Sequence, residues 1–194
     1  MAGDPEAARP AAAGAKRQYA AFDAALGDWL GGADPDDAGD ARVTFTLSAL
    51  HADADAYPVA SLLGIGEVFA MTPQRLRLAL WPRSRLAGHL RQGGVMSLHF
   101  VFDAAFHQWR LDRPRMLAAE CADAPGQDPG ALLLVELRVV AGESVSVDYA
   151  ALRSGPSIAL PPGPAGAATL ARWRAQRQLL RKAQPVSRDW CGEP

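Results

Sequence analysis

The sequence predicts a mainly β fold (β+α): a barrel of six antiparallel strands with flanking helices. Three observations predict it. Strict two-residue alternation marks half-buried strands, as in Val43-Thr44-Phe45-Thr46-Leu47-Ser48 and Arg75-Leu76-Arg77-Leu78. The strand-like segments follow one another through short turns, which leaves no room for the helical crossovers of a parallel sheet. With 194 residues, 49% of them hydrophobic, the chain can bury one sizeable core. Closing the sheet into a barrel would remove the exposed edges of so many consecutive strands.

Residues 1–16 are rich in Ala, Pro and Gly and lack the apolar run of a signal peptide, so they read as a disordered lead-in. A helix is expected over 17–30, where Tyr19, Phe22, Leu26, Trp29 and Leu30 form one apolar stripe and Gly31-Gly32 stops it. Residues 33–40 are Asp- and Gly-rich and read as a loop. The first strand begins near Ala41, and His51 to Asp55 is a polar turn. Tyr57 to Phe69 is a second extended run, in which Gly64 and Gly66 indicate a bulge or a close backbone approach. Arg75 to Leu80 is a third strand, with Leu on one face and Arg on the other.

Trp81-Pro82-Arg83-Ser84 leads into a short helix over 85–92, capped by Ser84 and ended by Gly93-Gly94. Val95 to Phe102 is the fourth strand. Phe106 to Glu120 is the fifth, bent near Pro114. A loop over 123–130 precedes the sixth strand, Leu132 to Val140, which residues 144–149 extend. Residues 156–164 are Pro-rich and irregular, and 169–183 form a helix ended by Pro185. The expected organisation is thus a lead-in (1–16), a barrel domain with its N-terminal helix (17–160), and a Pro-rich linker with a C-terminal helix packed on the same domain (161–194).

Charge narrows the function classes. Twenty basic residues balance 21 acidic ones, for a net charge of -1. That balance argues against nucleic acid or an anionic membrane as a partner of the whole chain. No window reaches the ~18 apolar residues of a membrane span. Cys121 and Cys191 are too few and too far apart for a disulfide framework or a CxxC metal site, and fit a reducing cytoplasm. Lys16 and Lys182 are the sole lysines, so the basic residues are almost all arginine. Alanine fills about a fifth of the chain, well above ordinary usage, as in a GC-rich genome.

The strand-to-helix junction Leu80-Trp81-Pro82-Arg83-Ser84-Arg85 is the strongest candidate for chemistry. A helix start offers free backbone N–H groups, and Ser84, Arg83 and Arg85 add a hydroxyl and two guanidinium groups. Such a junction suits a phosphate.

The run from Ser84 to Leu98 resembles the corresponding stretch of the pyridoxamine 5'-phosphate oxidase-like, FMN-binding split-barrel family, with its Ser-Arg pair, helix and strand ending Ser-Leu. Pro58-Val59-Ala60-Ser61-Leu62 and Arg75 to Trp81 look like the two preceding strands. Phe106 to Leu117 looks like the strand that ends in a Gly-Arg-Ala-like turn. The resemblance spans about residues 40 to 140. It implies a split β-barrel, a homodimer, and FMN at the subunit interface serving an oxidoreductase that acts on a small molecule. By the same resemblance, Ser84 and Arg85 would hold the FMN phosphate, with Arg83 beside them. Leu80 and Trp81 would lie along the flavin, Ser61 and Leu62 would border it, and His107 and Gln108 would reach the ring from the other subunit.

The chain departs from that pattern at three places. Leu86 stands where a phosphate-binding Lys is usual, with Arg77 or Arg83 as candidate replacements. His89 stands where many members carry Asn. Arg188-Asp189-Trp190 is only a faint echo of the C-terminal motif of true pyridoxamine phosphate oxidases. The run Ser84 to His89 also resembles Ser-x-Leu-Ala-x-His of the haem-handling split barrels, although the chain is three residues shorter before Ser97-Leu98. A flavin- or haem-binding module without catalysis is therefore the alternative.

His51, His89, His99 and His107 show no zinc spacing, so no metal site is expected. Among them His89 has the best functional placement, one turn into the candidate phosphate helix. The arginines of the C-terminal helix (Arg172, Arg174, Arg177, Arg181) read as the solvated face of a docked helix. No catalytic acid or base stands out, as expected where a flavin carries the redox chemistry.

Overall fold

The computed structural model describes residues 16–32, 42–50, 59–118, 132–147, 149–150 and 152–186. His51, Pro58, Cys121, Cys191, Arg188-Asp189-Trp190, the 33–40 loop and the 1–15 segment lie outside these residues.

The chain runs β1 (Lys16–Tyr19), α1 (Ala24–Gly32), β2 (Arg42–Leu50), β3 (Ala60–Gly64), a 3-10 turn (Ile65–Glu67), β4 (Val68–Thr72) and β5 (Arg75–Leu80). It continues through α2 (Arg85–Arg91), β6 (Val95–Phe102), β7 (Ala105–Ala118), β8 (Leu133–Val145), β9 (Ser157–Ile158), α3 (Pro164–Lys182) and β10 (Gln184–Pro185). The sheet is antiparallel, in the order β3-β2-β6-β7-β8-β5-β4, with β1 on β8, β10 on β7 and β9 on β2. This is the β+α, split-barrel-like architecture the sequence predicts.

Several elements differ from the sequence expectation. The helix expected over 17–30 starts only at Ala24, because Lys16–Tyr19 pairs with β8 from Val145 back to Gly142. There Tyr19 faces inward, 5.7 Å from Trp109 between ring centroids. Asp23 caps the shortened helix, its Oδ1 accepting the Leu26 N–H at 2.8 Å. The extended run over 57–69 is broken at Ile65–Glu67 into two strands. The sixth strand runs unbroken to Val145, and α3 starts at Pro164 rather than near Thr169. Pro at the helix start fixes a helical φ and needs no N–H partner.

Closure is the largest correction. Among the described residues β3 and β4, the two ends of the sheet, do not pair with each other. Yet only Ile65–Glu67 separates them in the chain, so the sheet must curl until its ends nearly meet. The split is filled by α3. Trp173 packs so tightly on the turn that a Cβ at Gly64 would lie 2.6 Å from its ring, and one at Gly66 2.3 Å from its Cβ. Arg177 then donates to the carbonyls of Ile65 (3.0 Å), Val68 (3.1 Å) and Leu30 (3.1 Å), and lies 5.4 Å from the Phe69 ring centroid. Two of these carbonyls flank the split, and the third belongs to the last turn of α1.

The main core lies on the concave face, where Phe45, Leu47, Leu76, Leu78, Phe100 and Trp109 are buried with α1 against them. Gly142 makes room for Trp109, since a Cβ there would sit 2.3 Å from the indole. A smaller core on the opposite face joins Phe69, Ala79, Leu117 and Leu134 to Leu180 and Ala183. At its margin Arg77 and Glu136 form a buried ion pair at 2.9 Å, and Arg77 also donates to the Leu180 carbonyl at 2.7 Å. Arg77 thus caps the C-terminal end of α3.

Two stability predictions follow from this packing. Arg177→Met leaves three carbonyls without their donor and should lower unfolding free energy by at least about 3 kcal/mol in urea titrations. The β6–β7 hairpin holds Asp103 at φ 47° and Ala104 at φ 56°, where a Cβ is strained. Ala104→Gly should raise stability by about 1 kcal/mol, read from the shift in the urea midpoint.

Candidate functional site

The β5–α2 junction is built as the local sequence dictates. Leu80 ends β5 facing the core at 4% exposure, and Trp81 turns outward at 59%. The Ser84 N–H bonds the Trp81 carbonyl at 3.0 Å and closes the turn. The Ser84 hydroxyl accepts the Ala87 N–H at 3.1 Å, as an N-cap should. Arg91 donates to the Pro82 carbonyl at 2.7 Å and ties the far end of α2 back to the turn.

Arg83 and Arg85 are exposed, and neither makes a hydrogen bond or ion pair among the described residues. Leu86 points into the core at 1% exposure, so this position faces away from any ligand at the junction. Arg77 is engaged with Glu136 and α3 and does not stand in for the absent Lys. Arg83 is the one candidate replacement left in the open. His89 Nε2 lies 3.1 Å from the Val95 carbonyl, so the imidazole braces the turn after α2. That turn needs Gly93 at φ 77°.

Strand register separates the remaining candidates by face. Ser61 lies opposite Leu47, on the core side, whereas Leu62 lies opposite Thr46, on the outer side, and is 56% exposed. His107 lies opposite Phe100 on the core side, its ring parallel to the Phe100 ring at 5.2 Å. Its Nε2 meets the Phe102 carbonyl at 3.2 Å, and its Nδ1 is buried without a partner. Gln108 faces outward. One lateral row of the outer face therefore reads Leu62, Thr46, His99, Gln108, Glu143, Gln18 from β3 across to β1. Leu62 and Gln108 share this row, and Ser61 and His107 lie beneath it.

An open basin of about 660 Å³, at a place where no site is expected from the sequence pattern, lies on this outer face and is lined in part by Gln18, Ser97, Gln108, Arg110 and Glu143. A signal for it was present in the polar alternation Gln108, Arg110, Asp112 along one strand. Its other wall comes from β1, which helical spacing had disguised.

No family model matches the chain, and no curated protein matches it. Similar solved structures include the FAD and heme binding protein of Mycobacterium smegmatis (13% identity over 79% of this chain and 96% of that one, TM-score 0.42). An FMN-binding protein of Syntrophomonas wolfei subsp. wolfei aligns at 12% identity over 66% of this chain and 92% of its own, TM-score 0.35. A Lactobacillus delbrueckii protein, provisionally assigned as a pyridoxamine 5'-phosphate oxidase, aligns at 13% over 52% and 83%, TM-score 0.38. The chain is thus similar to pyridoxamine 5'-phosphate oxidase-like and flavin-binding proteins. With TM-scores below 0.5, none of these transfers a ligand or a residue role to it. Among the described residues no helix is long and apolar enough to cross a membrane, and no cluster of His, Cys, Asp or Glu could hold a metal.

Burial holds both His99 and His107 below the ordinary imidazole pKa; for His107 the Phe102 carbonyl and the Asp23 and Asp103 charges work weakly against it. The fold contains neutral rings, and the unfolded chain takes up protons first. Their contribution is therefore complete above about pH 6.5 and is lost as the pH falls below it. Urea midpoints measured from pH 8 down to pH 5 should fall less steeply for His107→Gln than for the unaltered chain.

Proposed function

We propose that this chain is an FMN-binding flavoprotein that works as a homodimer and acts as an oxidoreductase on a small molecule. The observation that carries the reading is the exposed, unpaired pair Arg83 and Arg85 flanking the Ser84 cap, beside the exposed indole of Trp81. The residues fit the phosphate end of the cofactor. The Arg85 and Leu86 N–H groups begin a helix and have no intrahelical acceptor, and the two guanidinium groups supply bidentate donors. Trp81 offers an apolar face beside them, while Leu80 supports the turn from the core side.

A bound flavin would supply hydride or electron transfer. The protein's own part is to hold the phosphate, to keep the cofactor against an apolar wall and to position the substrate. The open outer face with Leu62 and Gln108 is the surface a second copy would cover, bringing the partner's Gln108 toward the cofactor. The cytoplasm is the proposed compartment.

A flavin-binding module without turnover is the second reading. It is favoured by the engagement of His89 and His107 with backbone carbonyls, which takes both imidazoles away from proton transfer.

Flavin fluorescence quenching tests the assignment. Arg83→Ala with Arg85→Ala should weaken FMN affinity by about tenfold or more and leave riboflavin, which lacks the phosphate, nearly unaffected. Equal FMN affinity in the double variant would remove the phosphate site. Reduction of the bound flavin by NADH or NADPH separates the enzyme from the module.

A further inference from the structure

Arg110 is the arginine in the lining of the basin, and the outer face next to it carries several more. Arg110 and Asp112 project to the same side of β7; Asp112 lies opposite Arg138 on β8, and Arg138 lies opposite Arg75 on β5. Arg138 takes both Asp112 oxygens, at 2.9 and 2.8 Å. That hydrogen bonding, with the charges of Arg138, Arg113 and Arg110, holds the Asp112 carboxyl below the usual carboxylate range, while burial opposes the shift. One carboxylate therefore faces three guanidinium groups, and Arg138 alone saturates it. Arg110 and Arg113 are exposed and make no hydrogen bond or ion pair among the described residues. Arg113 is thrown outward by the register shift between Asp112 and Arg115, at φ 50°.

Arg75 adds to the excess. Among the described residues its acid is Glu136 at 3.6 Å, which Arg77 already holds at 2.9 Å. Like charges directly opposite on neighbouring strands repel, so the Arg75–Arg138 pair gains from an added anion. Across the basin the Glu143 carboxylate is neutralised by Lys16 at 2.8 Å. Gln18, Gln108 and Ser97 supply uncharged donors over the basin's floor.

We propose that this basin binds a small polar molecule bearing an oxyanion, phosphate or carboxylate, whose charged end docks on Arg110, with the exposed Arg113 adding positive charge from beyond the basin, and whose polar body lies over Ser97 and Gln108. The guanidinium fork matches both oxyanions, and the volume suits a metabolite rather than a polymer. None of the junction residues from Leu80 to Arg85 lines the basin, so the anion end is separate from the proposed flavin phosphate site; Gln108 does line it, so the two readings share the face that a second copy would cover.

The test is calorimetric titration of the full chain with pyrophosphate and, separately, with citrate. Binding of either is expected. Measured in the Arg83→Ala, Arg85→Ala background, which removes the junction as a second anion site, binding should persist, and Arg110→Ala with Arg113→Ala should weaken it by about tenfold or more. The preference between the two probes identifies the oxyanion. Both altered residues are exposed, and Arg113→Ala alone should give a smaller loss should the double variant fail to fold. The proposal is overturned if neither anion binds, if the basin variants bind as the junction variant does, or if the junction variant abolishes binding instead. FMN titrations of the junction variant report on the other site, so either reading can fail alone.

Discussion

Consecutive strands that form opposite ends of one sheet impose the constraint on which this structure depends. Between β3 and β4 the chain has three residues in which to step across the split. Backbone carbonyls exposed at such a step have no ladder partner and cannot be buried unpaired without a cost of about 1–3 kcal/mol each. Arg177 resolves this by placing one guanidinium group against Ile65, Val68 and Leu30 at once. Because Arg177 belongs to α3, that helix must lie over the split. Trp173, one turn earlier, then requires Gly64 and Gly66 beneath it.

Docking α3 at this place divides the outer face of the sheet. Over β4, β5 and the start of β8 the face is covered, with Leu180 and Ala183 in a small second core and the Arg77–Glu136 pair at its margin. Beyond that margin the described residues leave the face open, and it is polar from Arg138 through the basin to His99 and Thr46 before it ends at Leu62. The candidate ligand surfaces lie outside the helix's reach, at the β5–α2 junction and on the open half of the sheet. Stability and binding thus share one sheet by dividing its length.

Elements with an unambiguous rhythm were legible in the sequence. The strand over 95–102, the Ser84 cap and the short helix after it lie as the pattern indicates, because local hydrogen bonding and alternation decide them. β1 was illegible for a physical reason: Phe22 and Leu26 are core residues with Tyr19 packed against them, and their spacing fits a helix although a strand and a turn deliver the first two. For the site, the junction was readable since its parts are contiguous. The basin was not, because its walls come from β1, β6, β7 and β8, and register alone brings Gln18 beside Gln108 and Arg110.

The arginines show where sequence stops. By itself the sequence determined a β-rich chain of balanced charge whose basic groups are nearly all guanidinium. It also determined the capped junction at Ser84, because cap, turn and flanking charges are local chemistry. Only the tertiary structure decided what each arginine does. Arg77 and Arg177 are buried against helix-end carbonyls, Arg138 is held bidentately by Asp112, and Arg83, Arg85, Arg110 and Arg113 are left open among the described residues. A guanidinium group is long and carries five donors, so its partner is set by the packing of distant strands and helices rather than by its neighbours in the chain.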